Sequence, residues 1–531
     1  MNIKLISLSG IDGSPNSGFV NHPPLALAIF KAFLKGHSVG LDDLGIRLIH
    51  EEELLQELFS LGFHNDPGAA DDYLAGRRQA PAIDRVFEKI LAMVELKNAR
   101  LVGLSVPHNQ CLATALVLAK KIKEKTGTEI VLGGFSFVKG IEKDFFRKYP
   151  FVDHVSFVKS FRPFLDLVEA MEKHGDVSKI HGMACKGFIK PPEMGNDRVD
   201  ELPRPDFDTL PLDAYRNIPR TLKQFFRYNA GRELALPYYF MGGCIYNCSF
   251  CGRNIKDKRV NFKPVARVAG ELAFLAKKYR TNCFYFLNNA VNLSDKYLNE
   301  FCDEIIKKRV RILWSDSAKP KNLDKALLLK MSRAGCISLT WGVESGNEEL
   351  LLSINKQHTA VSAAQTLRHA HEAGIWNRVN LIVGYPGETE SQFRDTLDFI
   401  RDNIDFIDTL EVHKFFLSTP SIIASNPEKY GIKVRDNLRN EGEPDFKCYG
   451  FDEVNGVKWE EKQKQLERRH RATVSFFQKL KNGTSLPNLD LSYNLFYLYK
   501  KFKTKAAVLK QLKKAAASAG TRRREGADRQ Y

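Results

Sequence analysis

The 531-residue chain lacks any run of about 18 uncharged apolar residues, which excludes a membrane-spanning helix. Met1 to Gly13 carries one lysine and a short apolar run but no small-residue cleavage site, so it reads as a first strand and not as a signal peptide. Cysteine is sparse and odd in number, nine in all, which argues against a disulfide-stapled secreted scaffold. The expected location is cytoplasmic, where clustered thiols more often bind metal than pair with each other. Hydrophobic residues at 43% and charged residues at 27% exclude disordered and collagen-like classes.

The net charge of +17 is unevenly placed. From Lys500 to Tyr531 there are eleven Lys/Arg against two acids, Glu525 and Asp528, which is about half of the total. Such an end is ordinarily a solvated tail. Its interleaved aromatics, Tyr493 to Lys503, suit two roles: packing a helix onto the domain, or peripheral contact with an anionic membrane surface. The packing role is favoured.

Apolar strands alternate with helical patterns, so the fold class is α/β with parallel sheets. Ile3–Ser9, Leu101–Val106, Glu129–Leu132 and Val152–Phe157 are the strands of an expected doubly wound, Rossmann-like domain over residues 1–170. Its ligand loops would follow the strands, at Gly10–Gly18, Pro107–Gln110 and Gly133–Phe137. Residues 171–232 carry several prolines and few strand signals, and read as a linker or wrapping segment. Residues 233–425 hold six β/α units, too few for a closed eight-stranded barrel, so a partial (β/α)6 TIM-like barrel is expected. Residues 426–531 form a mostly helical carboxyl-terminal region with helices near Trp459–Lys481 and Leu498–Ala517.

The strongest chemical signal is Cys244-Ile-Tyr-Asn-Cys248-Ser-Phe-Cys251, just after the first barrel strand, with Gly242-Gly243 before it and Gly252 after it. Three thiolates in eight residues can ligate one compact centre. A structural zinc would take a fourth Cys or His, and none follows at finger-like distance. An iron–sulfur cube held by three Cys leaves one iron open. Unrelated core thiols are the remaining alternative.

This CxxxCxxC pattern, with Phe250 before its last Cys, resembles the radical S-adenosylmethionine (SAM) superfamily. The resemblance implies that Cys244, Cys248 and Cys251 hold a [4Fe-4S] cluster. Its open iron would chelate SAM, which is then reductively cleaved to a 5′-deoxyadenosyl radical. Trp341-Gly-Val-Glu344-Ser-Gly346 is similar to the family's fourth-strand motif, whose Glu faces the nucleoside. A helix-terminal acid is the plain alternative for Glu344. Asn380-Leu-Ile-Val-Gly384-Tyr-Pro-Gly387-Glu388 is similar to its fifth-strand motif, where glycines let the backbone approach the adenine. Glu388 itself is as readily a helix N-terminal charge. Asn288 ends the second strand where relatives often carry an acid that binds the methionyl end.

The domain ahead of the cluster resembles those of cobalamin (B12)-binding radical enzymes. The matching pieces include His22-Pro-Pro-Leu-Ala, Leu101-Val-Gly-Leu-Ser105 and Ile130-Val-Leu-Gly133-Gly134. Ser105, Gly133 and Gly134 are the implied contacts to the corrin tail; as plain chain geometry they would only turn and cap it. Two features depart from the pattern. Asp12-Gly-Ser14 has no His, so cobalamin would bind without a His ligand on its lower face. Val158-Lys159-Ser160 replaces the usual Gly-Glu pair. His108, in a ligand-side loop, reads as a solvated residue.

The implied activity is cobalamin-dependent methylation of an unactivated carbon in a small-molecule or peptide substrate. An external one-electron reductant of flavodoxin or ferredoxin type would be needed. Cyclisation or rearrangement on the same equipment is one alternative, and a non-enzymatic cobalamin or cluster sensor is another. Methylthiotransfer to tRNA is disfavoured, because that chemistry resembles a two-cluster enzyme and residues 1–232 hold only Cys111 and Cys185.

Overall fold

The computed structural model describes residues 1–9, 22–63, 67–77, 79–107, 111–137, 141, 144–157, 160–191, 197–216, 233–252, 260–321, 323–418, 421–435, 448–481 and 491–514. They form two compact units, the first reaching Arg216 and the second starting at Glu233. No described helix is long and apolar enough to cross a membrane.

The first unit is built on β1 (Asn2–Ser7), β2 (Ser38–Asp43), β3 (Leu101–Ser105), β4 (Glu129–Gly133), β5 (His154–Ser156), β6 (Met183–Cys185) and β7 (Phe188–Ile189). Their order is β2-β1-β3-β4-β5-β6-β7. The first five are parallel, and β6 and β7 add antiparallel. Leu101, Val102, Ile130 and Leu132 are fully buried, as continuous apolar parallel strands require. The helix Leu112–Thr126 covers one face with Ala115, Val117, Leu118 and Ile122 and stops at Gly127, whose φ of 65° closes the last turn.

Two features depart from the sequence expectation. The pattern of β2 is not apolar, because it ends in two buried acids. Asp42 pairs with Lys4 at 3.2 Å and with Arg47. Asp43 caps the helix Leu44–His50 through the Gly45 N–H and accepts from the Tyr215 hydroxyl. Burial raises the Asp43 carboxyl to about 7, against that hydrogen bond. Part of the proline-rich stretch, expected as a linker, pairs into the sheet as β6 and β7.

The second unit carries β8 (Ala235–Tyr238), β9 (Cys283–Phe286), β10 (Leu313–Ala318), β11 (Cys336–Glu344), β12 (Trp376–Val383) and β13 (Thr409–Lys414). All pair in parallel, in the order β13-β12-β11-β10-β9-β8, with β8 and β13 as free ends. The sheet is therefore the open six-stranded series that the six β/α units imply. Helices cover its outer face: Phe286 stacks on Trp314 at 5.3 Å, and Phe301 of the helix Asp295–Lys307 lies 5.9 Å from Trp314. On β11 and β12 the pleat separates two faces. Leu339, Trp341, Val379 and Leu381 are fully buried, whereas Thr340, Gly342, Arg378 and Asn380 are partly exposed on the other side. That second face is polar and meets the carboxyl ends of the strands.

The helix Leu491–Phe502 closes the opposite end. Leu495, Phe496, Leu498 and Tyr499 pack with Ala235, Cys283, Ile337 and Trp376, which lie at or near the first residues of β8, β9, β11 and β12. The Tyr499 hydroxyl donates to the Gly374 carbonyl at 3.1 Å. Lys505, nearly fully buried, donates to Asp408 at 2.6 Å and to the Ile375 carbonyl at 2.8 Å. These aromatics are core, as the packing role expects. A second helix spans 505–514, after a break at Lys503 with φ 69°. The basic end beyond residue 514, with Arg522–Arg524, lies outside the described residues.

Candidate functional site

The three cysteines sit on the loop that follows β8, at the carboxyl end of the sheet. Cys244, Cys248 and Cys251 are half-buried. Neighbouring elements hold the loop from several sides. The Ser249 N–H donates to the Ile354 carbonyl at 2.9 Å, and its hydroxyl lies 2.8 Å from the Tyr385 hydroxyl. Asn289 donates to the Gly243 carbonyl at 2.7 Å, and the Ile423 N–H to the Ser249 carbonyl at 3.1 Å. Gly243 adopts φ 81°, a conformation that favours glycine. Burial pushes the Cys244 and Cys248 thiols up, so metal binding must release their protons. Among the described residues no group of His, Cys, Asp or Glu side chains converges as a single metal ion requires. Three accessible thiols on a held loop fit the donor set of a cluster.

The fourth-strand acid lies beside this loop in the charge network. Glu344 is 7% exposed and takes the Lys356 ammonium at 2.7 Å. It stands at φ 70°, at a register shift between β11 and β12. A non-glycine residue held there costs on the order of 1–3 kcal/mol and persists only when its surroundings demand it. Gly342 makes room for the pair, since a Cβ there would lie 2.7 Å from both Glu344 Oε1 and Lys356 Nζ. On β12 the Asn380 Oδ1 is buried without a partner. Gly384, at φ 77°, begins the turn after β12, and its N–H donates to Glu388 at 2.6 Å.

Asn288 is placed differently. Its Oδ1 accepts from the N–H groups of Phe240 and Met241 at 3.3 and 3.0 Å, and its Nδ2 donates to Asp316 at 2.7 Å. The side chain thus joins the ends of β8 and β10 and holds the scaffold. Glu388 is an ion-pair member, 2.7 Å from Arg469.

Sequence reasoning passed over three basic residues near the cysteines: Lys319, Lys356 and His358. Lys319 follows β10 and is 4% exposed. Its ammonium lies 3.4 Å from the centroid of Tyr246 and has no hydrogen-bond partner. Burial pulls it down to about 8, opposed by the nearby Cys248 thiol. Burial also holds His358 neutral, at about 3, with Nε2 3.2 Å from the Val343 carbonyl. A lysine at the carboxyl end of a barrel strand is itself a signal, because that end carries the ligands.

In the first unit, Ser105 and Gly133 end β3 and β4 as register partners. With Gly134 they line a cavity of about 260 Å³. Leu5, Val131 and the aromatic group Phe30, Phe161 and Phe164 form its apolar wall. Phe30 lies 4.8 Å from each of the other two rings. Gly134 has φ 117°, and a Cβ there would meet the Val106 carbonyl at 2.5 Å. The cavity suits a planar apolar group reached past a close-lying backbone. The Asp12–Ser17 segment, His108, Val158 and Lys159 lie outside the described residues.

Residues 238–400 match the Radical SAM superfamily model. The chain is 25% identical to an uncharacterised methyltransferase of Pyrococcus horikoshii over 64% of its own length and 71% of that protein. It spans about half the length of other curated relatives. Among solved structures, the radical SAM methyltransferase TsrM of Kitasatospora setae, with cobalamin and a [4Fe-4S] cluster bound, aligns at TM-score 0.61 and 17% identity, over 97% of this chain and 99% of that one. The cobalamin-dependent SAM radical enzyme OxsB, with aqua-cobalamin and SAM bound, aligns at TM-score 0.63 and 15% identity, over 99% and 80%. At these identities the likeness is one of fold. Residues 238–400 are thus a radical SAM superfamily domain, and the chain has the fold of the cobalamin-binding radical SAM enzymes it aligns with.

Proposed function

We propose that the protein is a cobalamin-dependent radical SAM enzyme that methylates an unactivated carbon of a small biosynthetic intermediate. The observation that carries this reading is the pairing of a three-cysteine loop in one unit with an apolar cavity at Ser105, Gly133 and Gly134 in the other. When bound, the cluster with SAM supplies a 5′-deoxyadenosyl radical on one-electron reduction, and cobalamin supplies a transferable methyl group.

The chain's own residues bind, orient and exclude water. Cys244, Cys248 and Cys251 hold the cluster. Glu344 and Asn380 present acceptors to the nucleoside hydroxyls, each of which donates one hydrogen bond. Gly384 begins the turn after β12 that meets the adenine in this reading. Phe30, Phe161 and Phe164 keep one planar group of the cobalamin tail dry. Thr340, Gly342, Arg378 and Asn380 share the polar face on which the substrate lies.

The test is anaerobic reconstitution with iron, sulfide and hydroxocobalamin, then reduction with SAM present. Deoxyadenosine should form, and about one cobalamin per chain should co-elute with a base-off spectrum. Ser105→Phe, which fills the cavity, should lower cobalamin affinity at least about tenfold, the equivalent of about 1.4 kcal/mol, while iron content is unchanged. Cobalamin uptake indifferent to that substitution would remove methyl transfer through cobalt from the reading. A substrate product that gains no methyl group would turn it toward cyclisation or rearrangement.

A further inference from the structure

We propose that Arg378 and Glu411 bind the carboxylate and the ammonium of an α-amino acid, so that the substrate is a free amino acid and not a residue within a peptide. This deepens the reading of the polar face given above and rests on it. Arg378 pairs with Glu411 across β12 and β13. The register sets Thr340 beside Arg378 and Asn380 beside Glu411, so all four side chains lie on one face. Towards the first residues of the strands that face is closed. Trp376, two residues before Arg378, is 1% exposed and packs with Leu495 and Phe496. Its indole N–H donates to the Thr409 hydroxyl at 3.0 Å. Charge therefore begins one step above an apolar floor, where the Arg378 and Glu411 side chains are 19% and 33% exposed.

A partly open ion pair contributes little to stability. It does present two opposite charges side by side to a ligand. A lone carboxylate would gain Arg378 and meet the like charge of Glu411, and a lone amine would meet the reverse. A group that carries both charges on one carbon matches the pair and adds no net charge to the site. The guanidinium fork takes a carboxylate through two parallel N–H bonds, and the Glu411 carboxylate accepts from an ammonium. Room for the rest of the amino acid lies towards β11 and β10, where the same face is built from the small residues Gly342, Thr340, Ser338 and Ser315. The Ser338 hydroxyl donates to the Trp376 carbonyl at 3.2 Å. Ser315 is 8% exposed, and its hydroxyl has no hydrogen-bond partner among the described residues. A buried hydroxyl left without a partner is costly. Ser315 stands two strands from Arg378, roughly 10 Å at about 4.8 Å per strand, and so suits an amino acid whose side chain ends in a polar group.

The test uses the full chain reconstituted with iron and sulfide and saturated with SAM. The probes are the L-α-amino acids, read by saturation-transfer NMR and then by titration calorimetry. At least one should bind. Its methyl ester and its N-acetyl derivative should each bind about 10–100-fold more weakly, as loss of a hydrogen bond to a charged group implies. Arg378→Met should bind the free acid and the ester alike while still rejecting the N-acetyl form. Glu411→Met should bind the free amine and the N-acetyl form alike while still preferring the acid to the ester. A pair that only supports the sheet would weaken all three ligands by one factor, and that result overturns the proposal. So does wild-type protein that binds SAM but none of the amino acids. Wild-type protein that takes up iron but binds no SAM overturns the reading of the cysteine loop, and this proposal with it.

Discussion

Replacing any one of Cys244, Cys248 or Cys251 by Ala is expected to abolish the iron–sulfur absorbance near roughly 400 nm and all deoxyadenosine formation. The expectation is severe because three other thiols of the second unit, Cys283, Cys302 and Cys336, are buried and cannot take over. Cys283 is fully buried among Leu495, Phe496 and Trp376 at the far end of the sheet. Cys302 lies on the buried face of the helix Asp295–Lys307, where burial raises its thiol to about 12. Cys336 begins β11, 2% exposed. Second-shell changes around a metal typically cost about 10–100-fold in affinity or activity, so loss of a ligand should exceed that range. Cys283→Ala is the control and should keep its iron. Iron, sulfide and absorbance per chain read the result directly. A single-site variant that kept both the absorbance and SAM cleavage would overturn the assignment.

Much of the fold was legible because parallel strands between two helical layers are continuous apolar runs. Leu101–Ser105, Glu129–Gly133 and the strands from β9 to β12 were placed by that rule. The rule misses strands whose buried positions are filled by ion pairs. β2 ends in Asp42 and Asp43, and only tertiary partners far away in the chain, Lys4 and Tyr215, neutralise them. β6 and β7 are two or three residues long and are defined by pairing alone. The cysteine loop was legible because its three ligands are local in sequence. The surroundings of that loop were not, because Lys319 follows β10 and Lys356 follows the helix Glu348–Ile354, both far from the cysteines in sequence. Asn288 shows the converse limit. Its position after β9 was read correctly, but residue type does not reveal that two backbone N–H groups and Asp316 already occupy it.

The carboxyl-terminal region matched no motif, yet it braces the Gly384–Glu388 turn that follows β12. The helix Trp459–Leu480 sends three side chains to Gly384–Glu388. Arg469 donates to the Glu388 carboxylate at 2.7 Å and to its carbonyl at 3.1 Å. Lys462 lies 3.3 Å from the Tyr385 carbonyl and pairs at 2.6 Å with Glu453, which in turn accepts from the Gly387 N–H at 3.1 Å. Leu466 covers Gly384 so closely that a Cβ there would come within 2.2 Å of it. Arg469 and Glu388 side chains are 4% and 1% exposed. Burial pushes the Glu388 carboxyl up, and the Arg469 charge, the Gly384 N–H and the Lys462 charge pull against it. Removing one member of such a pair strands the other in the interior, at a cost of about 3–5 kcal/mol. Arg469→Met should therefore lower the melting temperature by roughly 6–20 °C, at about 2–4 °C per kcal/mol. It should also weaken SAM binding, because the turn that meets the adenine loses its hold. Adding Glu388→Gln removes the stranded charge, so the double variant should regain most of the stability of the single one. SAM affinity should stay low in the double variant, since the Gly384–Glu388 turn remains unbraced. Calorimetry gives the first quantity and equilibrium dialysis the second. If the two losses recover together, the helix acts on SAM only through overall stability.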